Sequence, residues 1–193
     1  MKEKSTIDDW KIWPPYEIFY IESLLTLTGS ATSDYEYLDK VITNQELFDQ
    51  NPYVLIDLAE NIINQAATIS RYLWPTKQKP KIHRLRGEKL REKLLIYDDN
   101  ILKSRSVRNF IEHFDENLDE FLDKPIAGNF LPKSIVFNSN ELDEVTFVFR
   151  AYIVNEFIYR TLDREICILP IVKEIFRIHN MLVDFNRNGG RLK

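Results

Sequence analysis

Three residues near the middle of the chain, Arg108, Asn109 and His113, combine types and spacing that suit phosphate chemistry. Imidazole titrates near neutrality and can take or return a proton. A guanidinium stays charged and matches phosphate oxygens with its planar fork. Asn109 can orient the imidazole or donate to phosphate. The three sit in a segment, 101–122, whose apolar residues Val107, Phe110, Ile111, Phe114, Leu118, Phe121 and Leu122 fall within an arc of about 120° on a helix. Asn109 and His113 are four apart and share one side of that helix. Arg108 and His113 border the polar face about 140° from each other, so a ligand lying across the helix meets both. Glu112 and Glu116 flank them. An ordinary use of the same residues is Arg108 paired with Glu112 at i,i+4 and His113 paired with Glu116 or Asn117.

The run Arg108-Asn109-Phe110-Ile111-Glu112-His113 resembles the Arg-x4-His motif of HEPN domains (higher eukaryote and prokaryote nucleotide-binding), in the form with a polar residue after the arginine. Acids follow it at Asp115, Glu116 and Asp119, and the resemblance covers 16–122. It implies a helical bundle that forms a homodimer with two motifs facing each other. It also implies a metal-independent endoribonuclease without cofactor, of the kind found as toxins in toxin–antitoxin or abortive-infection systems. Arg108, Asn109 and His113 would be catalytic, with Glu112 and Glu116 in support. In that chemistry the RNA 2′-hydroxyl, deprotonated by histidine, attacks the adjacent phosphorus while arginine stabilises the phosphate oxygens. The product is a 2′,3′-cyclic phosphate. The other reading is a non-catalytic HEPN-like module used for dimerisation, or for docking a nucleotidyltransferase or antitoxin.

A charge reversal precedes the motif. Lys77, Lys79, Lys81, Arg84, Arg86, Lys89, Arg91 and Lys93 stand against only Glu88 and Glu92, inside a chain with a formal charge of -4. Arg84, Arg86, Lys89 and Arg91, with Arg105, are the candidate RNA contacts, forming a phosphate-binding wall beside the motif helix. A solvated basic face, or one that meets an acidic protein, uses the same residues equally well.

Other chemistry-bearing residues read as structural. His83 falls in the basic run and on a solvated surface, and His179 lies at the edge of an apolar stripe. Cys167, in an apolar run, reads as a small buried hydrophobe. Asp98, Asp99 and Asn100 suit helix capping. Trp10, Trp13, Tyr16 and Tyr20 suit anchoring a terminus to the core. There is no phosphate-binding glycine loop, His-Glu-x-x-His or nucleophile elbow.

The composition is that of a folded globular domain: 193 residues, 44% hydrophobic, 29% charged, with 5 Gly and 8 Pro. One cysteine excludes an internal disulfide and a cysteine-based zinc site, and three scattered histidines argue for no metal. The N-terminal stretch has no apolar core of the signal-peptide kind, and no run approaches a membrane span, so a cytoplasmic protein is expected.

The positioning elements follow from periodicity. Helices are expected from Tyr16 until Gly29-Ser30, over 35–48, from Asn51-Pro52 to Pro75, over 82–97, over 101–122, and from Pro170 to about Phe185. Strand candidates are 134–137, 145–153, 157–162 and 165–168. The expected fold is mainly α: a helical bundle (14–123), then a small C-terminal β-hairpin or meander and a closing helix (124–185), all one domain. Residues 1–13 read as flexible and 186–193 as a frayed tail.

Overall fold

The computed structural model describes residues 10–77, 79–110, 114–123, 127–143 and 145–193. The fold is mainly α, with a four-stranded sheet near the C-terminus and a helix after it. Helix α1 (Pro14–Thr43) is followed by α2 (Gln45–Gln50), α3 (Val54–Leu73) and α4 (Ile82–Lys93). A 3-10 turn at Ile101–Lys103 leads into α5 (Arg105–Asn109) and α6 (Phe114–Leu122). Strands β1 (Asn129–Val136), β2 (Thr146–Ile153), β3 (Ile158–Thr161) and β4 (Arg164–Cys167) precede α7 (Leu169–Arg187).

The stop expected at Gly29-Ser30 is not there, and α1 runs through it. A glycine inside a helix costs roughly 0.5–1 kcal/mol. Here it lies against α7: a Cβ on Gly29 would stand 3.7 Å from His179 Cε1, an ordinary contact distance, so α7 packs here without demanding glycine. Next to it Thr28 Oγ1 lies 2.9 Å from His179 Nδ1. The hydroxyls of Thr28 and Thr32 also donate back to Leu24 O (2.8 Å) and Gly29 O (3.0 Å), so this polar-looking stretch is buried with its donors satisfied. The break comes later, at Asn44, whose side chain accepts from Leu47 N and starts α2.

Helix α3 is the axis of the fold. Leu55, Leu58, Ile62, Ala66, Ile69 and Leu73 are buried as their spacing predicts, and so are Ile56, Ala59, Ile63 and Ala67 on its other sides. It packs on α1, on α4 and α5, and on β2 and β3. Pro75 stops it, because proline has no N–H to continue the ladder.

The long helix expected over 101–122 is divided. Asn100 caps the 3-10 turn by accepting from Leu102 N, and Ser104 then leaves helical geometry at ψ 135° and accepts from Ser106 N. A serine that competes for the backbone in this way starts a new helix. Val107 and Phe110 are buried, as the apolar stripe predicts, and the Phe110 ring meets Tyr159 at 5.8 Å. Ile111, Glu112 and His113 lie outside the described residues. Farther along α6 the stripe rises out of the interior: Leu118 and Phe121 are half-buried and Leu122 is 61% exposed.

The sheet order is β1-β2-β3-β4. The antiparallel β2-β3-β4 meander is the one the alternating residues predict, with Tyr152 opposite Tyr159 and Tyr159 opposite Ile166 facing the helical core. Strand β1 is longer than expected and pairs parallel to β2, from Asn129 opposite Thr146 to Val136 opposite Ile153. Its Pro132 is tolerated because β1 is an edge strand. Arg150 to Glu60 (3.4 Å) and Lys133 to Asp57 (3.6 Å) tie the sheet to α3.

The ends also differ from expectation. Residues 1–9 lie outside the described residues, but Ile12 is buried and Trp10 packs against the core. At the other end, Gly189 (φ 89°) and Gly190 (φ 67°) take left-handed conformations that close α7 and turn the chain back. Buried Glu17 then accepts from Arg191 Nε (2.7 Å) and Leu192 N (3.0 Å), and Leu192 is buried. The tail is docked rather than frayed. No helix among the described residues is long and apolar enough to cross a membrane.

Candidate functional site

The C-terminal end of α3 gathers several of the basic side chains singled out from sequence. The last carbonyls of a helix carry no intrahelical partner and a partial negative charge. Here three arginines from two later helices take them up. Arg86 Nη2 donates to Arg71 O (3.2 Å), Arg91 Nη1 donates to Leu73 O, and Arg108 Nη1 donates to Trp74 O (3.3 Å). Two of them also lie over neighbouring rings, Arg86 over Tyr72 at 5.3 Å and Arg91 over Trp74 at 5.5 Å. Gly87 makes this approach feasible: a Cβ there would sit 2.6 Å from Leu73 O and 2.8 Å from Pro75 Cδ.

All three contacts gather at the C-terminal end of α3. Beside it opens a cleft of about 640 Å³, lined by Arg71, Trp74, Pro75, Thr76, Lys103, Arg105, Arg108 and Asn109. Four of these are cations and none is a carboxylate. Arg71 comes from α3, Lys103 from the 3-10 turn, and Arg105, Arg108 and Asn109 from α5. Arg105 and Asn109 are exposed, whereas Arg108 is half-buried. Arg108 Nε is buried without a hydrogen-bond partner among the described residues. Lys103 pairs with Asp98 at 2.9 Å, and this ammonium holds the Asp98 carboxyl below the usual carboxylate range. Such a cleft can hold an anion with several oxygens, as phosphate has.

Of the motif, then, Arg108 and Asn109 share the cleft, while His113 and Glu112 lie outside the described residues. Glu116 is exposed on α6 and does not line the cleft. Arg105 does. Arg84, Arg86, Lys89 and Arg91 do not, because they have other partners. Arg84 pairs with Glu88 (3.2 Å), Lys89 pairs with Glu92 (2.5 Å), and the other two cap α3. Two residues of the basic run, Arg86 and Arg91, therefore hold α4 against α3, and two more, Arg84 and Lys89, pair within α4.

Sequence reading missed Arg71, Trp74 and Lys103. Their local signal is slight: Arg71 and Trp74 only close a helix before proline, and Lys103 only precedes a cap. Packing of the 3-10 turn and α5 against α3 brings them to one place.

The remaining candidates are distributed elsewhere. His179 is the satisfied edge histidine that was expected. His83 is half-buried on α4 rather than fully solvated. Cys167, expected to be buried, is exposed on edge strand β4. Trp13 and Tyr16 are exposed and meet each other edge-to-face at 4.7 Å. Among the described residues, no three His, Cys, Asp or Glu side chains gather into a metal-binding group. No family model matches the chain, and no curated protein or solved structure matches it either.

Proposed function

We propose that this protein binds RNA through the Arg71, Lys103, Arg105 and Arg108 cleft and cleaves it as a HEPN-like, metal-independent endoribonuclease. The observation that carries this reading is the convergence of four cations and the motif's Asn109 on one cleft, whose lining among the described residues includes no carboxylate. Arg105 and Arg108 hold the oxygens of the scissile phosphate, and Asn109 adds a neutral donor beside them. His113, four residues beyond Asn109, takes the proton of the 2′-hydroxyl as its oxygen attacks phosphorus. The bond to the 5′-oxygen breaks, that oxygen is protonated as it leaves, and a 2′,3′-cyclic phosphate remains. A homodimer, as the motif resemblance implies, would present two such clefts to one RNA.

The test is cleavage of end-labelled mixed RNAs by purified protein in EDTA, with His113→Ala prepared in parallel. Cyclic-phosphate ends that form in EDTA and vanish in the variant are the expected result. A metal requirement, or full activity in His113→Ala, overturns the proposal.

One observation favours a second reading, a non-catalytic module for dimerisation or for docking a nucleotidyltransferase or antitoxin. Arg108 already donates to Trp74 O, which is a structural task. In that case RNA, if bound at all, stays intact in the same assay.

A further inference from the structure

Helix α6 carries two features that the basic cleft does not use. Its apolar side, Leu118, Phe121 and Leu122, faces Phe130, Leu131 and Pro132 of β1 and Phe147, Val148 and Phe149 of β2 across a groove of about 350 Å³. The groove wall is almost wholly hydrocarbon. Phe147 anchors it, stacking on Phe130 at 5.5 Å and meeting Phe121 at 6.3 Å. Yet Leu122 is 61% exposed, Phe130 57% and Leu131 39%, so the groove is open to solvent. Exposed apolar surface of this kind offers a partner a place to bury hydrocarbon.

The second feature is charge. Asp115, Asp119 and Asp123 recur every four residues, so they form an acidic ridge beside the Leu118 and Leu122 ridge of the same helix. All three are exposed and have no ion-pair partner among the described residues. Like charges at this spacing repel along a helix. A cationic ridge on a bound segment would relieve that repulsion while its apolar side filled the groove.

We propose that the groove between α6 and β1–β2 docks a basic amphipathic helix of a partner protein. Leucine-like side chains enter between Phe121, Phe130 and Phe147, and Lys or Arg on the bordering face pairs with Asp115, Asp119 and Asp123. This inference does not depend on ribonuclease activity.

The probe is a fluorescein-labelled leucine–lysine peptide with helical periodicity, titrated with full-length protein and followed by anisotropy. Two controls accompany it: a scrambled peptide of the same composition, and a leucine–glutamate helix. The expected result is saturable binding of the first peptide alone, weakened by salt. Leu122→Asn with Phe130→Asn, at exposed positions that the fold tolerates, should weaken it about tenfold or more. Asp115→Lys with Asp119→Lys should do the same. Equal binding of the scrambled or glutamate peptide, or unchanged binding by the Leu122 and Phe130 variant, overturns the proposal. So does a dimer in sedimentation that the Leu122 and Phe130 variant converts to monomer, because the occupant is then a second copy.

Discussion

Arg108 Nη1 donates to the backbone carbonyl of Trp74 at 3.3 Å, so the first residue of the motif also closes the end of α3. One guanidinium thus serves two surfaces, a helix terminus on one side and a cleft on the other. Comparison with Arg105, which has only the second task, separates the two. Arg108→Ala removes a charge-assisted bond to a helix end and should lower stability by about 1–2 kcal/mol in urea unfolding. It should also weaken RNA binding in the cleft. Arg105→Ala, at an exposed position with no cap to lose, should leave stability within about 0.5 kcal/mol. It should still weaken RNA binding and reduce the salt dependence by about one counterion. If Arg105→Ala left RNA affinity and its salt slope untouched, the cleft would not be the RNA site.

Asp98 competes with any anion for Lys103, because the two pair at 2.9 Å at the cleft margin. Its carboxyl is held low, chiefly by the hydrogen bond and charge of Lys103. A carboxyl depressed in the folded state favours folding above its unfolded midpoint, and that contribution fades as pH falls through the lower, folded midpoint. An NMR titration should therefore show Asp98 titrating below an ordinary aspartate, with Lys103→Ala moving it upward. Asp98→Asn should raise RNA affinity severalfold at low salt and less at high salt. Unchanged affinity would mean that Lys103 takes no part in binding.

The fold was legible where one residue pattern had one explanation. The spacing along α3 and α7 placed both helices, and the alternation from Val145 to Ile153 placed β2 and the meander. It was not legible where two explanations compete. Gly29-Ser30 reads as a helix stop unless His179 and α7 are known to lie against it. Ser104, inside an otherwise helical run, gave the signal that divides 101–122, but a stripe of apolar residues on both sides masked it. Strand β1 starts five residues before the expected 134, and its Pro132 fits because β1 is an edge. The candidate cleft was legible by half for a similar reason. Arg105, Arg108 and Asn109 are close in sequence, whereas Arg71 reaches the same cleft only through tertiary packing. Arg86 and Arg91 read as a binding wall because charge alone does not reveal which carbonyls a guanidinium will meet.

Glu17 holds the far end of the chain. Its carboxylate is buried and accepts from Arg191 Nε at 2.7 Å and Leu192 N at 3.0 Å. Glu17→Ala leaves both donors unmatched and should cost about 1–3 kcal/mol in chemical denaturation. Glu17→Gln keeps an acceptor for Leu192 N and should cost less. Hydrogen exchange at the Leu192 amide gives the local readout: fast exchange is expected in Glu17→Ala. Protection equal to that of the unchanged protein would show that the tail is held by the Leu192 side chain alone.

Gly87 sets the distance between α4 and the end of α3. A Cβ there would fall 2.6 Å from Leu73 O and 2.8 Å from Pro75 Cδ, and these are backbone and ring atoms with little room to yield. Space, not backbone freedom, is what demands glycine, because Gly87 is not among the glycines with positive φ. Alanine usually stabilises a helix interior relative to glycine. At this position the clash should outweigh the propensity gain, for a net loss of about 1–3 kcal/mol, the range for overpacked sites. The displacement would also carry Arg86 and Arg91 away from Arg71 O and Leu73 O, leaving the end of α3 uncapped. RNA binding should then weaken through Arg71 and Trp74, although no cleft residue has changed. A stabilised Gly87→Ala protein with unchanged RNA affinity would show that α4 can withdraw without disturbing the cleft.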